Sequence, residues 1–218
     1  MDWVASFYRS TIGKKIIMAV TGAVLVLFVI AHSLGNLLAF QGPDRLNAYA
    51  HFLKSNAGML WTVRLVLLAS VVFHVQMAWQ LTRLDRTARP VGYAKQVPQA
   101  STLAARTIRW GGVLLLVFIV FHLLHFTTGT LHPSFSTTDV FANVVTAFRV
   151  PWVTVFYVAA MAALGFHLYH GVWSAVQTLG WNHPHYNPLR RRVATVLAVV
   201  IFGAFAAIPL AVAAGIIR

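Results

Sequence analysis

The sequence has no cysteine and no glutamate, and its acids are only four aspartates. Without cysteine there are no disulfides, thiolate-held iron–sulfur clusters, C-x-x-C-H haem attachments or zinc–thiolate sites. Any cofactor must therefore rest on nitrogen or oxygen ligands, and the chain has ten histidines. Charge is scarce as well. Of 218 residues, 10% are charged, against about 25% in a soluble domain, which is too little to coat a water-facing globule. Hydrophobic residues make up 59% and the mean hydropathy is +0.73, so disorder is excluded too. What remains is a membrane protein forming a single domain over 1–218.

Long windows free of charge locate the spans. No Asp, Glu, Lys or Arg occurs in 16–43, 65–82, 110–138, 150–189 or 193–217. A crossing helix needs about 20 apolar residues. An all-α bundle of five transmembrane helices is therefore expected, at about 15–39, 61–82, 108–129, 152–178 and 193–216. The second is expected to be the shortest. The first is too long for a signal-peptide core and shows no cleavage pattern, so it is read as retained. Pro43, Pro90, Pro98, Pro133, Pro184 and Pro188 are expected in loops. Pro151 suits the first turn of the fourth helix, and Pro209 falls inside the fifth.

The net charge of +13 would suggest nucleic acid in a soluble protein. Here the basic residues lie between apolar runs, where membrane topology explains them, and no nucleic-acid partner is expected. The N-terminal segment, the loop after the second span and the loop before the fifth hold 12 of the 17 basic residues. By the positive-inside rule the N-terminus faces the cytoplasm and the C-terminus the outside of the cell membrane. Trp61, Trp110, Trp152 and Trp181 fall at span ends, as an aromatic belt in membrane lipid predicts. Asp85 and Asp139 are expected to be solvated.

Histidines stand where ionisable groups are costly. Six of them, His32, His74, His122, His125, His167 and His170, lie inside four successive spans. Intramembrane ionisable groups are rare and functional. Six together with no intramembrane acid point to a cofactor. Their depths group them. At 1.5 Å per residue, His32 lies about 27 Å beyond Lys14 and His122 about 20 Å beyond Arg109, both in the outer half. His74 lies about 13 Å from Arg83 and His167 about 22 Å from Trp152, both in the inner half. The levels pair His32 with His122 and His74 with His167. Two axial imidazoles on opposite faces of a porphyrin would produce this pattern at each level, two haems in all, stacked across the bilayer. His125 and His170, each three residues beyond a proposed ligand, are alternatives to it, or partners of a propionate or of a ligand. Gly22, Gly35, Gly111, Gly112, Gly165 and Gly171 offer room for a flat macrocycle, or for close helix packing.

These residues resemble a known family, the five-helix dihaem cytochrome b subunit of succinate dehydrogenases and fumarate reductases. The similarity runs through I-A-H32-S-L-G-N and G42-P-D-R-L-N-A-Y-A-H51-F-L, then V-V-F-H74 and R109-W-G-G, to F-H167-L-Y-H170-G171-V-W-S-A-V-Q-T-L-G. The resemblance implies His167 rather than His170 as ligand, because the family's axial histidine precedes a glycine by four residues. The interval from Arg109 likewise implies His122 rather than His125. It further implies two haem b groups, and a quinone substrate with menaquinone as the expected type. Flavoprotein and iron–sulfur partners would dock on the cytoplasmic face, and no succinate-oxidising site would lie on this chain. Arg64, Arg83 and Arg109 are candidates to pair with propionates, and Asp44 and His51 to exchange protons with quinone. Two other readings stand beside it: a haem b subunit of a hydrogenase or formate dehydrogenase type, and a haem-free metal transporter.

Overall fold

The computed structural model describes residues 2–88, 91 and 101–218, so Arg89, Pro90, Lys95 and Pro98 lie outside the described residues. Every regular element among the described residues is helical: α1 (Asp2–Arg9), α2 (Thr11–Asn36), a 3-10 turn (Leu37–Gln41), α3 (Pro43–Ser55), α4 (Ala57–Thr87), α5 (Leu103–Phe126), α6 (Val140–Phe148), α7 (Pro151–Thr178) and α8 (Asn187–Ala213). Five of these segments are long and apolar enough to cross a membrane: Thr11–Gln41, Ala57–Thr87, Leu103–Phe126, Pro151–Thr178 and Asn187–Ala213.

Side-chain caps mark the starts of α2, α4, α5 and α6. Ser10 accepts from the Gly13 N–H at 2.9 Å, Asn56 from Met59 at 3.0 Å, Thr102 from Ala105 at 3.2 Å and Asp139 from Ala142 at 2.9 Å. Each satisfies a backbone donor that the first turn leaves without a partner. This corrects several expected limits, because hydropathy marks the hydrocarbon crossing and caps mark the helix. α5 starts at Leu103 rather than 108 and ends at Phe126 rather than 129. α4, whose charge-free window is the shortest, extends past Arg64 to Ala57 and, with 31 residues, is the longest helix described. Its Arg64 and Arg83 do not end it. Their guanidinium groups lie 5.1 Å from the Trp61 ring and 5.0 Å from the Trp79 ring, on the helix's own surface.

Two prolines expected in loops begin helices instead. Pro43 opens α3 and Pro188 is the second residue of α8, positions where no intrahelical N–H is needed. Arg190, Arg191 and Arg192 are therefore helical. The turn into α3 is made by Gly42, whose φ of 93° suits only glycine well.

α7 packs against α8, α5 and α2, while α2 also carries α4 on its other side. Among the described residues α2 and α5 make no extensive backbone contact, nor do α4 and α7. The largest buried cluster joins Phe118, Phe141, Phe148, Val153, Tyr157 and Ile208, at the end of the bundle covered by α3 and α6. α3 is fastened there by polar contacts. Asn47 donates to Asp139 at 3.0 Å and accepts from the Phe141 N–H at 3.0 Å. Lys54 donates to the Thr137 carbonyl at 2.7 Å. Asp139 is thus a cap and a tether while remaining partly open to solvent. Asp85 forms an ion pair with Arg109 at 2.6 Å.

Candidate cofactor site

The gaps between α2 and α5 and between α4 and α7 are bridged by histidines. His32 on α2 faces His122 on α5, ring centroids 5.9 Å apart. His74 on α4 faces His167 on α7, ring centroids 6.1 Å apart. Their levels follow from the neighbours. His74 touches α2 at Met18 and Thr21, and His32 lies eleven residues beyond Thr21, about 16 Å along the helix. His122 touches α7 at Tyr157, and His167 lies ten residues beyond that, about 15 Å. Two imidazole pairs thus stand one above the other.

The separations suit a shared metal. Two metal–imidazole bonds of about 2.0 Å, with about 1 Å from each ring nitrogen to its centroid, put the centroids about 6 Å apart. The nitrogens suit it as well. His74 Nδ1 lies 3.1 Å from the Met18 carbonyl, which can only accept. Nδ1 therefore carries the hydrogen, and Nε2 keeps the lone pair that binds a metal. His167 Nδ1 is buried with no protein partner, a state that buried polar groups seldom keep.

Small residues open the space around the second pair. A Cβ on Gly22 would come within 3.2 Å of the His74 ring, one on Gly112 within 3.9 Å of the His167 ring, and those on Gly111 and Gly171 would meet nothing within 4 Å. A cavity of about 150 Å³ lies here, lined by Gly111, Thr107, Ala163 and His167. The other two glycines serve packing. Gly165 takes α8 at Phe202 and Ala198, and Gly35 lies under the Tyr49 ring. These residues fit a flat macrocycle held by two imidazoles, and among the described residues no three His, Cys or acidic side chains converge as a bare metal site would require.

The remaining candidates lie elsewhere. Arg64, Arg83 and Arg109 are exposed and engaged with Trp61, Trp79 and Asp85. Asp44 and His51 are exposed on α3, a helix where a loop is expected from hydropathy. His170 is half-buried one turn beyond His167. His125 is 1% exposed, with Nδ1 3.1 Å from the Tyr157 hydroxyl. Sequence reasoning missed two groups, Tyr157 and the Met18 carbonyl. Tyr157 is one aromatic in an apolar helix, and a backbone oxygen leaves no mark in a sequence.

Comparison with known proteins identifies the family. The family described as succinate dehydrogenase/fumarate reductase transmembrane subunit matches residues 85–207, more than half of the chain. The succinate dehydrogenase cytochrome b558 subunit of Bacillus subtilis (strain 168) is 24% identical over 180 residues, covering 81% of this chain and 82% of that one. No solved structure matches the chain. With five apolar helices and this match over more than half of its length, the chain belongs to the transmembrane subunit family of succinate dehydrogenases and fumarate reductases.

Proposed function

We propose that this chain is the cytochrome b anchor of a succinate:quinone oxidoreductase, with His32 and His122 as the axial ligands of one haem b and His74 and His167 as those of a second. The observation that carries this is the pair of facing imidazoles at each of two levels, 5.9 and 6.1 Å apart. When bound, a bis-imidazole haem supplies one-electron transfer and has no open iron position for O₂. The protein's part is to hold and orient. α2 contributes His32 to one level and the Met18 carbonyl to the other, so one helix positions both.

The basic end of the bundle faces the cytoplasm in this reading. There the chain anchors an iron–sulfur subunit and, through it, a flavoprotein that carries the succinate or fumarate chemistry. A quinone in the membrane, menaquinone in this reading, is the other redox partner, and either direction of turnover uses the same scaffold. Asp44 and His51, exposed on α3 at the outer end, are the groups proposed to exchange protons with it. The family match favours this partner set over that of a hydrogenase or formate dehydrogenase.

A redox titration of the purified complex tests the reading. Two haems should titrate per copy of this chain. His74→Ala or His167→Ala should remove one, and His32→Ala or His122→Ala the other. A colourless assembled complex, or variants that each keep both centres, would overturn the assignment.

A further inference from the structure

Tyr157 is 5% exposed on α7 and walled by aromatic rings, with Phe118 and Phe148 each at 5.0 Å and Phe126 at 5.9 Å. Packing alone would be served as well by phenylalanine. Its hydroxyl, however, lies between two imidazoles, 3.3 Å from His122 Nδ1 and 3.1 Å from His125 Nδ1. A phenol has one hydrogen. It can donate to only one of these nitrogens, so the other ring must donate to it. The two histidines therefore hold complementary tautomers: one Nδ1 bears a hydrogen and the other a lone pair.

The direction follows from the proposed ligation, on which this inference rests. If His122 binds iron through Nε2, its neutral ring carries the hydrogen on Nδ1. That N–H donates to the Tyr157 oxygen, and the Tyr157 hydroxyl donates to His125 Nδ1. His132 does not compete for this hydroxyl. Its ring lies 5.1 Å from that of His125, but Nδ1 accepts from the Ser134 N–H at 3.1 Å and Nε2 donates to the Asn143 carbonyl at 2.9 Å.

We propose that Tyr157 and His125 form a two-member hydrogen-bond relay that locks the ring and tautomer of His122 and lowers the reduction potential of the haem it holds. An accepting partner at Nδ1 makes the ligating imidazole more basic, which favours ferric over ferrous iron. A phenol is a weaker acceptor than the Met18 carbonyl that serves His74, but donating onward to His125 strengthens it. Tyr157 and His125 are positioning residues, since both act through His122.

The test is Tyr157→Phe in the assembled, haem-loaded complex, read by redox titration and by electron paramagnetic resonance of the ferric haems. The His32–His122 haem should become easier to reduce by about tenfold, about 59 mV for one electron, and its g values should shift. The His74–His167 haem should keep its potential. His125→Phe should move the same centre in the same direction by less, because the phenol oxygen still accepts from His122. The double variant should go no further than Tyr157→Phe alone, as members in series require. His125→Gln, whose amide oxygen accepts from the hydroxyl, should return the potential towards wild type. Unchanged potentials in Tyr157→Phe, or additive shifts in the double variant, would overturn the relay. If Tyr157→Phe does not assemble, His125→Phe decides alone, and an unmoved potential there overturns it. A wild-type complex with no haem at His32–His122 would defeat the ligation itself, a separate failure from that of the relay.

Discussion

The backbone oxygen of Met18 lies 3.1 Å from His74 Nδ1, so helix α2 decides which nitrogen of a histidine on α4 stays free. The Thr21 hydroxyl, 3.4 Å away, supports the same edge of the ring. At the other level the partner of His122 is a phenol rather than a carbonyl. The two imidazole pairs come from four different helices and differ in their surroundings, and under the proposed ligation this asymmetry would let the two centres differ in potential.

Gly22 makes the His74 position possible. A Cβ there would meet the ring at 3.2 Å, and the branched carbons of valine would add to the crowding. Gly22→Val should displace the ring from Met18, an overpacking strain of about 1–3 kcal/mol. Reduced-minus-oxidised spectra should then show one haem lost or weakened and the other intact. Two undiminished α-bands would contradict the close approach.

Asn143 holds the loop before α6. It is 2% exposed, accepts from the Ser136 N–H at 2.8 Å and donates to the Ser136 carbonyl at 2.7 Å. Asn143→Ala should leave both groups without their partner, at a cost of about 1–3 kcal/mol. The thermal midpoint of the complex should fall, and protease should cut earlier within 127–139.

Asp139 should make the α3–α6 junction sensitive to acid. The Ala142 N–H and the Asn47 amide both donate to its carboxylate, which holds its pKa below the ordinary value. A lowered folded pKa gives stability that is fully present above the unfolded value of about 3.9 and lost as pH falls through the folded one. Amide opening within 136–148, read as hydrogen exchange divided by the intrinsic rate at each pH, should be flat near neutral pH and rise only in strong acid. Asp139→Asn, which keeps an acceptor but no titrating group, should remove that rise.

Arg109 and Asp85 tie the ends of α5 and α4 by an exposed ion pair at 2.6 Å. Such pairs contribute about 0–1 kcal/mol. Asp85→Asn should change the thermal midpoint little and leave the haem content as it was. A large loss of either would mean that this contact organises the bundle.

Much of this was readable before any coordinates. Windows free of charge mark the crossings, because hydrocarbon excludes charge wherever it lies in the fold. Helix rise alone places His32 level with His122 and His74 level with His167, and the structure brings those same rings within 5.9 and 6.1 Å. Other features were not readable. α3 is polar, with Asp44, Arg45 and Lys54, and α6 is apolar but only nine residues long, so a search for long apolar runs passes over both. α6 starts at the Asp139 cap and α3 at Pro43, and their position depends on Asn47 reaching Asp139, 92 residues away.

Read alone, the sequence shows how many segments are long and apolar enough to cross, how far along its segment each imidazole lies and that no thiolate or glutamate can take part, because hydropathy, rise per residue and composition are properties of a single chain segment. Only the tertiary structure decided that Met18 and Tyr157 are what the ligand candidates lean on. Those contacts depend on how each helix is rotated about its axis and which neighbour it meets, and that is settled by packing among all the helices at once.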